Sequence, residues 1–243
     1  AFGKAEQALS KALGGKPVTD IAALLHWDLL QPLRDAFCAL APHTDVVVSA
    51  HMYLAPMIDA NWQGAVWYDA FNVEADMKAV VLGQPRPSHA DATLALQAPA
   101  LRAPDLADHC VRQVASAEAR MVRRAERVWA VSDENRERFA ALYDRPASSI
   151  ELAVNGTHVP GDAWLDTTRR AALKERLGLG GRPLAIFVAS YHGPNLPAAD
   201  DILAMAHACP EWAFALVGSV CHHLKDRALP SNLMMLGTVE EKA

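Results

Sequence analysis

Three places in the chain pair the right residue types with the right neighbours to hold a ligand. Gly193, with Ser190 and Asn195, follows an apolar run at 183–190 and precedes a helical pattern that begins near 197. Backbone N–H groups at such a turn, aimed along a helix N-terminus, favour an anion such as a diphosphate; the plainer alternative is an ordinary strand–helix connection. His51 ends a second β-branched run, at 45–50, and Asn72 and Glu74 follow a third, at 64–70. Ligands of open α/β sheets bind beyond the carboxyl ends of the strands, so a carboxylate or imidazole there can hydrogen-bond a ligand in the crevice. The alternative for Asn72 and Glu74 is a solvated loop capping a helix that starts near Ala75. Glu118 sits inside a helical pattern, where a salt bridge to Arg123 is the competing expectation.

Those positions need elements to carry them. Ile21, Leu24, Leu25, Leu29, Leu33, Phe37 and Leu40 recur at helical intervals and predict one helix over 21–40, capped by Thr19 or Asp20 and ended by Pro42. A segment with four prolines, 83–104, reads as a loop. Leu106, Cys110, Val114, Ala117, Met121 and Ala125 share one face of a long helix reaching about residue 127. A strand at 128–132 follows, then a helix at 133–143 capped by Ser132 and acidic in its first turn. A strand at 150–154 closes on Asn155-Gly156, a turn expected to need positive φ at the glycine. The pattern then restarts: a helix opened by Asp166 and stopped by Gly178, a strand at 183–190, a helix at 197–209, and strands at 212–217 and 233–236. Alternating strands and helices with short loops predict a parallel α/β sheet with helices on both faces. A domain boundary is expected within 157–181, giving domains 1–160 and 161–243.

Composition narrows the function classes. With 51% hydrophobic and 21% charged residues the chain has ordinary globular make-up. A net charge of -5 argues against a nucleic-acid partner, and Arg120, Arg123, Arg124 and Arg127, interleaved with Glu118 and Glu126, read as a solvated helix face of mixed charge. Cys38, Cys110, Cys209 and Cys221 show no CxxC pair or zinc spacing, and the first three read as small core residues. That fits a reducing, cytoplasmic setting. His222-His223 in a polar loop reads as solvated, and no metal site is expected. No apolar run is long enough to span a membrane, and the N-terminus lacks the pattern of a signal peptide.

Four segments in order resemble the retaining GT-B glycosyltransferases of the group-1 (family 4) class. They are the stretch at 45–56 containing His51, and Trp67-Tyr-Asp-Ala-Phe-Asn72-Val-Glu74. The third is Glu118 with Ala125-Glu-Arg-Val-Trp-Ala-Val-Ser132, Arg136, Tyr143 and Val154-Asn155-Gly156, and the last is Phe187 to Asn195 with Leu216-Val-Gly218 and Leu236-Gly237. The resemblance implies two doubly wound Rossmann-like domains, an acceptor side at 1–160 and a nucleotide-sugar side at 161–243. It implies acceptor or cleft roles for His51, Asn72, Glu74 and Glu118, and donor roles for Ser190, Gly193, Asn195 and Gly218. The co-substrate would be a nucleotide-diphosphate sugar, with no other cofactor, and the acceptor a glycan, a lipid-linked molecule or a small molecule, which for lipid acceptors entails peripheral membrane association. At roughly 100–200 residues per domain both domains are expected to be incomplete and the chain inactive as it stands. Two departures stand out: Phe71 occupies a place where relatives often carry histidine, and Tyr191-His192 stand where many carry cations, with no Lys or Arg in 184–204.

Other readings differ in what they require. A nicotinamide dehydrogenase needs G-x-G-x-x-G between a strand and a helix; the glycines at 178, 180 and 181 precede a strand instead and read as a helix stop. A nucleotide-sugar epimerase shares the GT-B architecture, since fold alone does not fix chemistry. A non-catalytic interaction domain would keep the scaffold and lose affinity for nucleotide sugars.

Overall fold

The computed structural model describes residues 1–95, 105–156 and 166–239. The chain divides into two compact units, Ala1–Thr157 and His158–Ala243. The boundary expected at 160/161 lies outside the described residues.

The first unit opens with three helices, α1 (Phe2–Ala12), α2 (Thr19–Leu25) and α3 (Gln31–Leu40). Its sheet contains β1 (Val46–Ser49), β2 (Ala65–Ala70), β3 (Arg127–Ala130) and β4 (Ile150–Leu152), all parallel and in chain order. Parallel neighbours require crossovers, and helices supply them. They are α4 (Ala55–Asn61) after β1, α5 (Glu74–Leu82) and α6 (Leu106–Arg124) after β2, and α7 (Asp133–Tyr143) after β3. The second unit has α8 (Thr167–Arg176), then β5 (Leu184–Val188), α9 (Asn195–Ala208), β6 (Ala213–Val217) and β7 (Leu233–Gly237), its sheet again parallel in chain order.

Local chemistry accounts for most of these boundaries. Ser132 Oγ accepts from Asn135 N at 3.2 Å to open α7, and Asp166 accepts from Arg169 N at 2.7 Å to open α8. Gly83, at φ +68°, ends α5 in a left-handed turn that a side chain would resist. Arg145 donates to the carbonyls of Val122, Ala125 and Glu126, so a side chain satisfies the end of α6 that backbone leaves open.

Several expectations need correction. The single helix over 21–40 is two helices separated by a 3-10 turn at Trp27–Leu29. Pro32 lacks an amide hydrogen and its ring excludes the preceding turn, so it falls in the first turn of α3 instead of a helix interior. No residue of α3 is buried; Leu33, Leu40 and Cys38 are exposed, which removes Cys38 from the core. Gly156 does not take positive φ, because the chain leaves the edge strand β4 without a hairpin reversal. Glu118 is not on a solvated face: α6 turns it inward, and it makes no bridge to Arg123.

The sheets also differ from the expectation of two covered faces. In the first unit, register and alternation place Val66, Tyr68, Ala70, Val128, Ala130 and Ile150 on one face, all buried in a core with α5, α6 and α7. The other face carries Val48, Trp67, Trp129 and Glu151; Val48 is 55% exposed, and the two tryptophan rings meet edge to face at 5.6 Å. In the second unit Phe214, Leu216 and Leu233 pack against α9, while Ile186 and Val188 on the opposite face are open. With strands added in chain order, right-handed crossovers deliver helices to one face only.

Candidate functional site

The carboxyl ends of β1 and β2 gather three of the four candidates in the first unit. His51 follows β1, where its carbonyl accepts from Ser49 Oγ at 2.6 Å. Its Nδ1 lies 3.5 Å from Glu74 Oε1, and its ring meets Phe71 edge-on at 5.5 Å. The imidazole is half exposed whereas Glu74 is buried. Tyr53 donates to the other Glu74 oxygen at 2.6 Å. Phe71 thus forms an apolar wall for His51, and Glu74 a fixed carboxylate behind it.

Beneath this pair lies Glu118, fully buried on α6. Four donors converge on its carboxylate: Tyr68 at 3.0 Å, Tyr143 at 2.5 Å, and the backbone N–H groups of Glu74 at 2.9 Å and Ala75 at 3.2 Å. The last two are orphan donors of the first turn of α5, so α6 caps α5 through a side chain. Burial pushes the Glu118 carboxyl up to about 7, against the opposing pull of Tyr143 and the two amides. Burial, reinforced by the nearby carboxylates, raises Tyr53, Tyr68 and Tyr143 above the ordinary phenol range. Glu118 therefore acts on the surface only through α5, whose first two amides, at Glu74 and Ala75, it holds. Lys78, ion-paired with Asp20, stacks over Tyr53 at 5.5 Å and is the cation of this cluster.

Asn72 parts from the other three. Among the described residues its side chain has only a 3.9 Å contact to Met77 Sδ, and it lines a cavity of about 350 Å³ between α5 and α7. Sequence reasoning found neither this cavity nor the tyrosine cluster. Tyr68 and Tyr143 lie 50 and 25 residues from Glu118, and nothing local signals that they meet.

In the second unit the four donor candidates lie at the carboxyl ends of β5 and β6. Asn195 is the first residue of α9 and donates from its side chain to Ser190 O at 3.0 Å, closing the loop on itself. A Cβ on Gly193 would meet nothing within 4 Å, and the N–H groups of His192 and Gly193 meet no protein acceptor among the described residues. Gly218 plays a different part. At φ +102°, a Cβ on it would stand 2.2 Å from Ala189 O, so glycine is what lets the ends of β5 and β6 approach. Ser219, not singled out from sequence, accepts from Tyr191 N at 2.8 Å and stitches the same two loops. His223 bonds Asp200 at 3.0 Å, and among the described residues no three His, Cys, Asp or Glu side chains cluster as metal ligands would. No helix among the described residues is long and apolar enough to cross a membrane.

Two parallel-sheet units of this kind, with loops at the carboxyl strand ends, define an α/β protein of Rossmann-like architecture. No protein-family model and no curated protein matches the chain. Solved structures do match, among them the crystal structure of Anabaena HepE in complex with UDP and glucose, at a TM-score of 0.50 and 16% identity. That likeness covers 86% of this chain and 52% of the HepE chain, so this chain spans about half the length of that neighbour. The fold is of the GT-B type, with Rossmann-like domains.

Proposed function

We propose that the chain is part of a glycosyltransferase that moves a sugar from a nucleotide-diphosphate sugar to an acceptor, with retention of configuration, in the group-1 (family 4) class. Residues 161–243 are the donor side and residues 1–160 the acceptor side. The observation that carries this reading is the pair of unpartnered N–H groups at His192 and Gly193, ahead of α9 and beyond the carboxyl end of β5. They form a cradle for a diphosphate, which gains charge as the glycosidic bond to the donor breaks; donors fixed where charge develops lower the barrier. Ser190 and Asn195 hold the cradle's shape, and Gly218 sets its depth. On the acceptor side the half-exposed His51, backed by Glu74, is a group to orient or deprotonate a sugar hydroxyl. The resemblance and the UDP and glucose bound by HepE support the same reading.

UDP, GDP and ADP tested by thermal shift decide it. A ligand that binds only the folded state stabilises by about 2.7 kcal/mol at a hundredfold excess over its dissociation constant. UDP is expected to raise the melting temperature and Gly193→Pro, which deletes one N–H, to abolish the rise. No shift with any nucleotide would overturn the donor assignment. It would favour a non-catalytic GT-B-like domain, the reading to which the lack of any Lys or Arg in 184–204 already points.

A further inference from the structure

The cavity between α5 and α7 has a chemistry of its own. Its polar walls are Asn72, Asp76, Arg86, Glu134, Asn135 and Arg138; Val73, Met77 and Val80 form an apolar floor. At about 350 Å³ it lies near the small end of ligand pockets, and it sits where β2 and β3 end, the ligand side of a parallel sheet.

Its charges are arranged in a particular way. Arg138 is spent within the protein: it grips Asp76 through Nε and Nη2, each at 2.8 Å, and donates to Pro87 O at 3.0 Å. That grip fixes α5, α7 and the segment bearing Arg86 against one another. What remains free is one cation, one anion and two amides. The side chains of Arg86, Glu134 and Asn135 have no partner among the described residues, and Asn72 has only its sulfur contact. The free charges sum to zero, so no excess of positive charge awaits a phosphate or carboxylate. No aromatic ring lines the cavity to stack a nucleobase. Two amides, a carboxylate and a guanidinium around an apolar floor match a ring with hydroxyls at its rim and C–H groups on its face. The floor is available, since Val80 is 70% exposed.

We infer that this cavity binds a neutral saccharide ring, with Asn72, Asn135, Glu134 and Arg86 bonding its hydroxyls and Met77 and Val80 meeting its apolar face. In calling that ring the acceptor, the inference rests on the transferase reading; the binding itself does not.

The test is an amide NMR titration of the 243-residue chain with glucose, cellobiose, glucose 6-phosphate and glucuronate, and separately with UDP. Glucose and cellobiose are expected to move the signals of Asn72, Glu134 and Asn135, and the two anionic sugars to bind no more tightly. Asn135→Ala and Glu134→Ala, whose side chains have no hydrogen-bond or ion-pair partner among the described residues, should each weaken cellobiose about fivefold through the lost hydrogen bonds, with circular dichroism unchanged. Tighter binding of the anionic sugars, or neutral sugars that leave these signals still, would overturn the inference. If UDP moves the Ser190–Asn195 signals while cellobiose leaves the cavity silent, the inference falls and the donor reading stands. Cellobiose seated in the cavity without any UDP response supports the inference and removes the donor reading.

Discussion

At the scale of single residues, Glu118 has the largest influence for the least exposure. Its carboxylate ends four donors at once, so Glu118→Ala strands two phenols and two amides in a dry interior. Urea unfolding is expected to show a loss of roughly 3–5 kcal/mol. The pH dependence has a definite sign. The folded pKa of about 7 lies above the ordinary 4.5, so the folded state holds the proton more tightly and unfolding releases it. The stability this proton brings is complete below about 4.5 and is lost as pH rises to about 7. It amounts to something on the order of 3 kcal/mol. Glu118→Gln cannot titrate, and the difference in stability between it and the wild type should change across that window and be flat above it. A difference that does not vary from pH 4.5 to pH 7.5 would refute the raised pKa.

At the scale of elements, much was legible in the sequence and the failures have nameable causes. The strands appear where the short apolar runs are, and α7 spans the expected 133–143 because Ser132 and its acidic first turn write the start into the sequence. Apolar periodicity at 21–40 continued through Pro32 as though it were absent, and the helix breaks just ahead of it, at the 3-10 turn Trp27–Leu29. By resemblance the glycine at 218 is a donor-side candidate; geometry adds a packing reason that a single sequence cannot display. Gly218→Ala forces a Cβ against Ala189 O and an alanine into positive φ, with a cost of roughly 2–4 kcal/mol. The loss should fall on the second unit alone, visible as faster amide exchange in β5, β6 and β7 with α6 and β2 unaffected. The candidate site was legible in its strand-end positions, since the carboxyl ends of parallel strands are predictable. Its contacts were not, because His51, Glu74 and Glu118 are distant in sequence and meet only in the fold, as do the tyrosines that bond Glu118.

At the scale of the whole molecule, each sheet packs its large side chains against helices on one face, while the other face leaves side chains such as Val48 and Val188 exposed. Stability should follow that division. Leu216→Ala, on the covered side of β6, is expected to cost 2–5 kcal/mol, a value typical of buried leucine. Val188→Thr, on the open side of β5 and 72% exposed, should stay within about 0.5 kcal/mol. A large loss at Val188 in chemical denaturation would mean that something covers that face in solution.

The chain-order arrangement of both sheets bears on how the protein comes into being. Among the described residues every hydrogen-bonded strand pair joins consecutive strands, so none of these strands waits for a partner among them beyond its next neighbour. Contacts of short sequence separation speed folding because less loop entropy is lost before they form. On the ribosome, strands β1 to β4 and their crossovers can settle into a sheet while residues of the second unit are still being synthesised. The long excursion between β2 and β3 is the slow passage in that itinerary. It carries Glu118, so the cap on α5 cannot close until α6 has emerged.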